Sequence, residues 1–280
     1  MTNETISALD NPTLAQQLVQ AAISMPTEQE ESSPVIEETV TIAAPPASGH
    51  VQLLAGLYNS FTGELTDTAE IRELNGVDEE ALSRINDYGR TLLSILERGT
   101  VKIGDKPATK ELLDKLLSGD REYLILQIRL ATFGPELELT GPCPSCEVEQ
   151  TFTVDLENDV KIDKLEDPTS GRTFVVKGKV GEITVEFPNG EVQRKLITST
   201  NKTSAELDSI LLKECVIMIN GNTIVDPEQI KSLSMGDRRE IIKELSKKNP
   251  GPDLSSIKKT CTSCGSEVPT PLSLADIFRI

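Results

Sequence analysis

The sequence predicts an α+β fold: two tandem, pseudo-symmetric halves of helices and small antiparallel sheet, joined at a four-cysteine site and preceded by a disordered N-terminal arm. Three observations carry this. A Cys-x-x-Cys pair, Cys143 and Cys146, recurs as Cys261 and Cys264. Its surroundings recur with it: Gly119-Asp120-Arg121 and Gly134-Pro135-Glu136-Leu137 return as Gly236-Asp237-Arg238 and Gly251-Pro252-Asp253-Leu254, with one residue inserted before the second cysteine pair. Apolar positions repeat in register, Leu124 with Ile241, Ile128 with Leu245, Val154 with Leu272 and Leu156 with Leu274. Two copies are too few for a solenoid of short repeats. Matches upstream, Ser94-Ile95-Leu96 with Ser209-Ile210-Leu211 and Gly104 with Gly221, place the halves at about 50–157 and 172–280, with a linker over 158–171.

Residues 1–49 form the arm. They hold acidic side chains and neither Lys nor Arg, and the stretch from Glu28 to Ser48 is rich in Glu, Ser, Pro and Ala. Such composition buries too little apolar surface to offset the entropy of ordering. Asn11-Pro12 can start a short helix to Ser24 with Leu14 and Leu18 on one face, although a helix of that length is marginal alone in water. A tail with weak helical bias and an arm that docks on a partner both fit.

From Val51 the pattern turns globular. An extended region and a strand through Ile71 and Leu74 end at Asn75-Gly76, which breaks the chain. Asp78 to about Arg98 reads as helix, interrupted near Gly89 and stopped by Gly99, and Lys110 to Leu117 as a shorter one. Asp120 is placed to N-cap a helix through Thr132, and Asp237 one from Arg238 to about Lys248. Capping accounts for the repeated Gly-Asp without a ligand. Leu124, Ile125 and Ile128, like Ile241, Ile242 and Leu245, form apolar stripes at helical spacing. Beyond each helix a Gly-Pro step ends the run, and a short extended segment leads to the cysteines. Phe152, Val154 and Leu156 alternate as in a strand, and Thr173 to Phe187 is a β-rich stretch bent by glycines and closed by Pro188-Asn189-Gly190.

Composition bounds the chemistry. The formal charge of -17 opposes binding to nucleic acid and anionic membranes, since phosphate recognition draws on Lys and Arg. Aromatic residues make up 3% and Trp is absent, which removes the stacking platforms of single-strand binders. With no signal-peptide pattern and no apolar run of about 18 residues, the expectation is a soluble protein made in the cytoplasm. There, paired cysteines point to metal or redox chemistry rather than disulfides.

Cys143, Cys146, Cys261 and Cys264 are the predicted ligands of one shared structural zinc, because two Cys-x-x-Cys turns supply four thiolates in a tetrahedron. Pro144 stiffens the first turn, and Gly265 follows the last cysteine where a positive φ is easily taken. Glu147 stands at the equivalent place in the first knuckle. A closed site leaves no room for substrate, so the metal is expected to clamp the halves together. An iron–sulfur cluster also uses four cysteines. Thiol–disulfide exchange needs an acidic cysteine, yet the first pair lies among Glu136, Glu138, Glu147 and Glu149 and follows a helix rather than opening one. Cys215 reads as a buried small hydrophobe. His50 is the single histidine, and no P-loop or Rossmann glycine pattern is present, so no enzyme is expected.

The run Ser118-Gly119-Asp120-Arg121-Glu122-Tyr123-Leu124 to Ile128-Arg129, then Ala131-Thr132-Phe133-Gly134, then Cys143-Pro144-Ser145-Cys146 leading into Val154-Asp155-Leu156, resembles the baseplate hub subunit family of T4-type contractile-tailed phages. The resemblance concentrates between about 110 and 160 and extends to Phe187-Pro188-Asn189-Gly190 and the last Cys-x-x-Cys. It implies a structural or assembly role in the hub, in the virion or during morphogenesis in the host cytoplasm. Other tail and hub proteins are the implied partners, the four cysteines a structural site, and no residue is implied to be catalytic. The acidic arm lies outside it. The rival classes are a zinc-ribbon module of a transcription or replication complex, which would bind nucleic acid or a polymerase, and a thiol–disulfide redox protein.

Overall fold

In the computed structural model the described residues are 49–199, 201–224 and 226–278; the arm expected over 1–49 lies almost wholly outside them. The architecture is α+β, with seven α-helices among the described residues. A first antiparallel sheet takes β1 (Gly49–Asn59), β2 (Glu64–Ile71), β3 (Thr100–Ile103) and β4 (Lys106–Pro107) in that spatial order, with α1 (Gly76–Leu82) and α2 (Tyr88–Gly99) inserted between its second and third strands. Next come α3 (Lys110–Asp114), the long α4 (Ser118–Phe133) and a hairpin of β5 (Glu136–Pro142) with β6 (Glu149–Asp155).

The same order then returns. After β7 (Lys161–Asp163), a second sheet is built from β8 (Thr173–Gly178), β9 (Gly181–Glu186), β10 (Val216–Ile219) and β11 (Asn222–Thr223), with α5 (Gly190–Thr198) and α6 (Ser204–Cys215) inserted at the same place. A 3-10 turn (Pro227–Ser232) stands where α3 stood, followed by α7 (Met235–Lys248), β12 (Gly251–Asp253) and a hairpin of β13 (Lys258–Thr260) with β14 (Glu267–Pro269). The Asn-Gly steps have one job in both halves. The side chains of Asn75 and Asn189 cap α1 and α5 by accepting backbone amides of the first turn.

Three local expectations shift. The helix read through Asp78 to Arg98 is two helices, parted over residues 83–87, where Asp87 accepts the Arg90 amide and caps α2. Gly89 lies inside α2, and a Cβ there would meet Ile197 of α5 at 2.9 Å, so this glycine serves close packing. Asp120 and Asp237 are not N-caps. Both sit in the first turn of their helices, and the cap positions belong to Leu117, which makes no side-chain cap bond, and to Ser234, whose Oγ accepts the Asp237 amide. Freed from capping, the carboxylates reach sideways, Asp120 to the backbone of β1 and Asp237 to the turn between β8 and β9. Asp120 Oδ1 accepts the amides of Leu54 (2.6 Å) and Ala55 (3.1 Å), exposed where β1 bulges, and Asp237 Oδ1 accepts Lys179 N at 2.8 Å. Burial raises the Asp120 pKa despite those amides.

Each half builds most of one core, the second also taking in Ala55 and Leu117 from the first half. In the first, Leu113, Leu124, Ile125 and Ile128 pack on Val51, Leu53, Ala69 and Ile71; in the second, Ile241 and Leu245 pack on Val176, Ile183, Val185 and Val216. A third core belongs to both, with Leu126, Val154, Leu156 and Val160 meeting Leu254, Ile257, Leu272 and Ile277. The segment read as a linker takes part, since β7 pairs antiparallel with β12 and Leu165 N donates to Leu54 O. Where α4 crosses the residues entering β12, the fit is tight enough that a Cβ on Gly119 would fall 1.4 Å from the Pro250 carbonyl oxygen.

Polar groups reinforce this junction. Arg121, 2% exposed, donates through Nε to Gln193 Oε1 (2.8 Å) and through a terminal nitrogen to Leu113 O (2.8 Å) and Asp114 Oδ1 (3.1 Å). Asp114 also pairs with Arg194 of α5 at 2.8 Å. Removing Asp114 would leave the buried Arg121 guanidinium without its counter-ion, at a cost on the order of 3–5 kcal/mol. The halves are therefore held together by apolar packing and an ion network.

A candidate metal centre of four cysteines

Each knuckle sits at the tip of a β-hairpin. The β5–β6 ladder runs in register to the pair Pro142 and Glu149, and the turn beyond carries Cys143 and Cys146; the β13–β14 ladder ends at Thr260 and Glu267, and its turn carries Cys261 and Cys264. The turns have the same backbone. Cys143 N donates to Val148 O and Glu147 N to Cys143 O; Cys261 N donates to Ser266 O and Gly265 N to Cys261 O, all within 2.8–3.0 Å. Gly265 has φ +74° and Glu147 φ +59°, so the residue after each second cysteine is left-handed. Glu147 thus takes, with strain, the conformation that Gly265 takes freely.

The hairpins face each other, and the four sulfurs converge within 4.8 Å of one another. Across the junction Cys143 Sγ lies 3.8 Å from Cys264 Sγ, and Cys146 Sγ 3.7 Å from Cys261 Sγ. These separations match a tetrahedron of thiolates about 2.3 Å from one ion, whose edges are about 3.8 Å. They far exceed a disulfide bond of about 2.05 Å. An iron–sulfur cluster, which places several metal atoms between its thiolates, calls for wider spacing. The cysteines read from sequence are brought together as a set that could hold a metal ion.

The surroundings suit a structural site. Cys143 and Cys261 are buried with Phe152 and Val268 in a small core of their own, while Cys264 is exposed. The Cys264 amide and then the Gln150 side chain lower the Cys261 thiol to about 6. The Val148 amide pulls the Cys146 thiol down too, but burial and hydrogen bonds with the other three thiols outweigh it and push it up to about 12. Cations would compete with protons at such a cluster. Cys215 lies in the second half's core, its thiol pushed up to about 12 by burial, away from the four. His50 is exposed at the start of β1.

Gln150 is the residue that sequence reading missed. From β6 it reaches the opposite knuckle, Nε2 donating to Cys261 Sγ at 3.0 Å and Oε1 accepting from Thr262 N (3.0 Å) and Oγ1 (2.9 Å). No motif announces it; its partners are more than a hundred residues away in sequence.

Fold and site together define a class: a duplicated α+β scaffold whose two halves each present a Cys-x-x-Cys hairpin, the two tips forming one closed four-thiol centre. The chain belongs to the family described as T4 bacteriophage base plate protein, which matches residues 64–279. That span includes all four cysteines, the shared core and most of both sheets. It makes the chain a phage baseplate protein, whose partners are to be sought among other baseplate proteins. No curated protein matches the chain, and no solved structure does. Among the described residues no helix is long and apolar enough to cross a membrane.

Proposed function

We propose that this chain is a structural or assembly component of the baseplate hub, made in the host cytoplasm and built into the tail, acting by protein–protein binding and not by catalysis. The observation that supports it most is the closed cysteine site inside a chain of the baseplate family. Four protein thiols around one point leave no position for a substrate. We assign zinc to Cys143, Cys146, Cys261 and Cys264, since a tetrahedral set of four thiolates suits that ion. Its role is to lock two hairpin tips whose own core is small, which fixes the outer end of the junction between the halves. The halves themselves remain the two repeats, 50–157 and 172–280, with the arm over 1–49 as a docking segment for a neighbouring tail protein.

The described surface offers a point of grip. Phe61 is 99% exposed at the tip of the β1–β2 hairpin, in a chain with only six phenylalanines. The turn that carries it is ordered: Asn59 Oδ1 accepts the amides of Phe61 (3.0 Å) and Thr62 (3.4 Å), and Asn59 O that of Gly63 (2.8 Å). Rigid, exposed aromatic residues anchor interfaces at low entropic cost. The test is infection with phage carrying Cys143→Ser or Cys261→Ser, scored by electron microscopy of the particles and by cross-linking mass spectrometry of the wild-type chain. Missing or hubless baseplates and cross-links to central hub proteins are expected. Normal tails from both variants, or cross-links confined to peripheral baseplate proteins, would refute the assignment.

A further inference from the structure

The two knuckles are held unequally. Within each, backbone amides donate to sulfur locally, Ser145 N to Cys143 Sγ and Cys264 N to Cys261 Sγ, both at 3.4 Å, and Cys264 Sγ pairs with Ser266 Oγ at 3.3 Å. None of these crosses from one hairpin to the other. Gln150 does, with all three of its hydrogen bonds on the second knuckle. Its orientation follows from chemistry: Thr262 N–H can only donate, so Oε1 must face it and Nε2 is left for the sulfur. The matching place on the second hairpin, seven residues after its first cysteine, holds Val268, which is buried beside the cysteines and offers no reciprocal bond.

A cross-hairpin donor has two uses here. Four thiolates about a divalent cation carry excess negative charge, and the first hairpin adds exposed Glu147 and Glu149 in a chain of charge -17. An N–H aimed at sulfur stabilises the thiolate, as hydrogen bonds to charged acceptors do, and outer groups of this kind commonly tune metal affinity. The Oε1 bonds meanwhile fix where the second turn lies, with or without a metal.

We propose that Gln150 is a positioning residue that docks the second knuckle onto the first before the ion arrives and then stabilises the Cys261 thiolate. This rests on the metal reading above for its second part only. The test compares the full-length wild type with Gln150→Ala and with Gln150→Leu, which keeps bulk but no polar group. Zinc affinity is measured by chelator competition, and amide hydrogen exchange over residues 262–265 is measured in metal-free protein. Both variants are expected to bind one zinc per chain about 10–100-fold more weakly, and to exchange faster than wild type in that segment without metal. Wild-type affinity in Gln150→Leu would show that bulk alone suffices and would overturn the proposal. If the wild type takes up no zinc, the metal reading fails and exchange decides the docking: faster exchange in the variants sustains it, and equal exchange overturns it.

Discussion

Gly119 and Gly236 occupy the same place in the duplicated Gly-Asp-Arg motif, and replacing each with Ala should move stability in opposite directions. On Gly119 a Cβ would lie 1.4 Å from Pro250 O, 2.4 Å from Pro250 C and 3.2 Å from Gly251 N. All three are backbone atoms, so no rotamer change relieves the clash. Helix α4 and the strand β12 must part by about 2 Å to restore ordinary contact, which opens the core the halves share. Overpacking a core costs about 1–3 kcal/mol where side chains give way, and the top of that range or beyond is expected where the backbone must. On Gly236 the nearest atom to a Cβ is Ser234 Oγ at 3.7 Å. There Ala only gains helix propensity, up to about 1 kcal/mol. At about 2–4 °C per kcal/mol for a chain of this size, Gly119→Ala should melt about 6–12 °C below wild type and Gly236→Ala up to about 4 °C above. Scanning calorimetry in zinc-containing buffer, with reversibility checked by rescanning, measures both. Equal shifts, or a Gly119→Ala protein melting within a degree of wild type, would refute the asymmetric junction.

Further outcomes follow from single residues. Glu147→Gly should relieve the left-handed strain at φ +59° and raise the melting temperature by the equivalent of about 1 kcal/mol, whereas Gly265→Ala should lower it; an unchanged melt in both would show that the turns are not strained. Cys143→Ser should abolish stoichiometric zinc in native mass spectrometry yet keep helix content by circular dichroism, because the shared core is intact; loss of helix would show that the metal carries the whole junction. Burial raises the Glu122 carboxyl to about 7, against a weaker opposing pull from Arg121. Below the ordinary glutamate range the acid is protonated folded and unfolded alike; between about 4.5 and 7 only the unfolded chain ionises, so stability falls with rising pH, by roughly 3 kcal/mol in all. Glu122→Gln should flatten that part of the stability curve, and denaturant melts from pH 4.5 to 8 that superimpose on wild type would remove Glu122 as the cause. Phe61→Ser should leave the melting temperature unchanged, since the ring is 99% exposed, and reduce cross-linking to baseplate neighbours; wild-type cross-linking would move the contact elsewhere.

Much of the fold and most of the centre were legible because the chain carries its evidence twice. Duplicated cysteines named the four sulfurs, and apolar residues at helical and alternating spacing marked α4, α7 and the hairpin strand β6, since periodicity reports which face is buried. The Asn-Gly steps marked helix starts, although as sequence they read only as breaks. Where the linear pattern failed, partners distant in sequence had decided the matter. Asp120 and Asp237 look like caps, and they have the right chemistry, but tertiary folding presents backbone amides, of a strand for Asp120 and of a turn for Asp237, that claim their carboxylates. Gly119 and Gly236 head the same Gly-Asp-Arg motif, and only the passage of residues 250 and 251 against α4 makes one indispensable and the other replaceable. Glu147 looked like a departure from the glycine expected after a knuckle, and the backbone shows it holding the same conformation under strain. Gln150 has no signature, because its meaning lies in Thr262 and Cys261 on another hairpin. Sequence by itself determined the four cysteines that cluster, the duplication and the apolar faces, all of which are local or periodic. Tertiary structure decided which polar groups find one another, because a hydrogen bond depends on distance and angle and not on spacing along the chain.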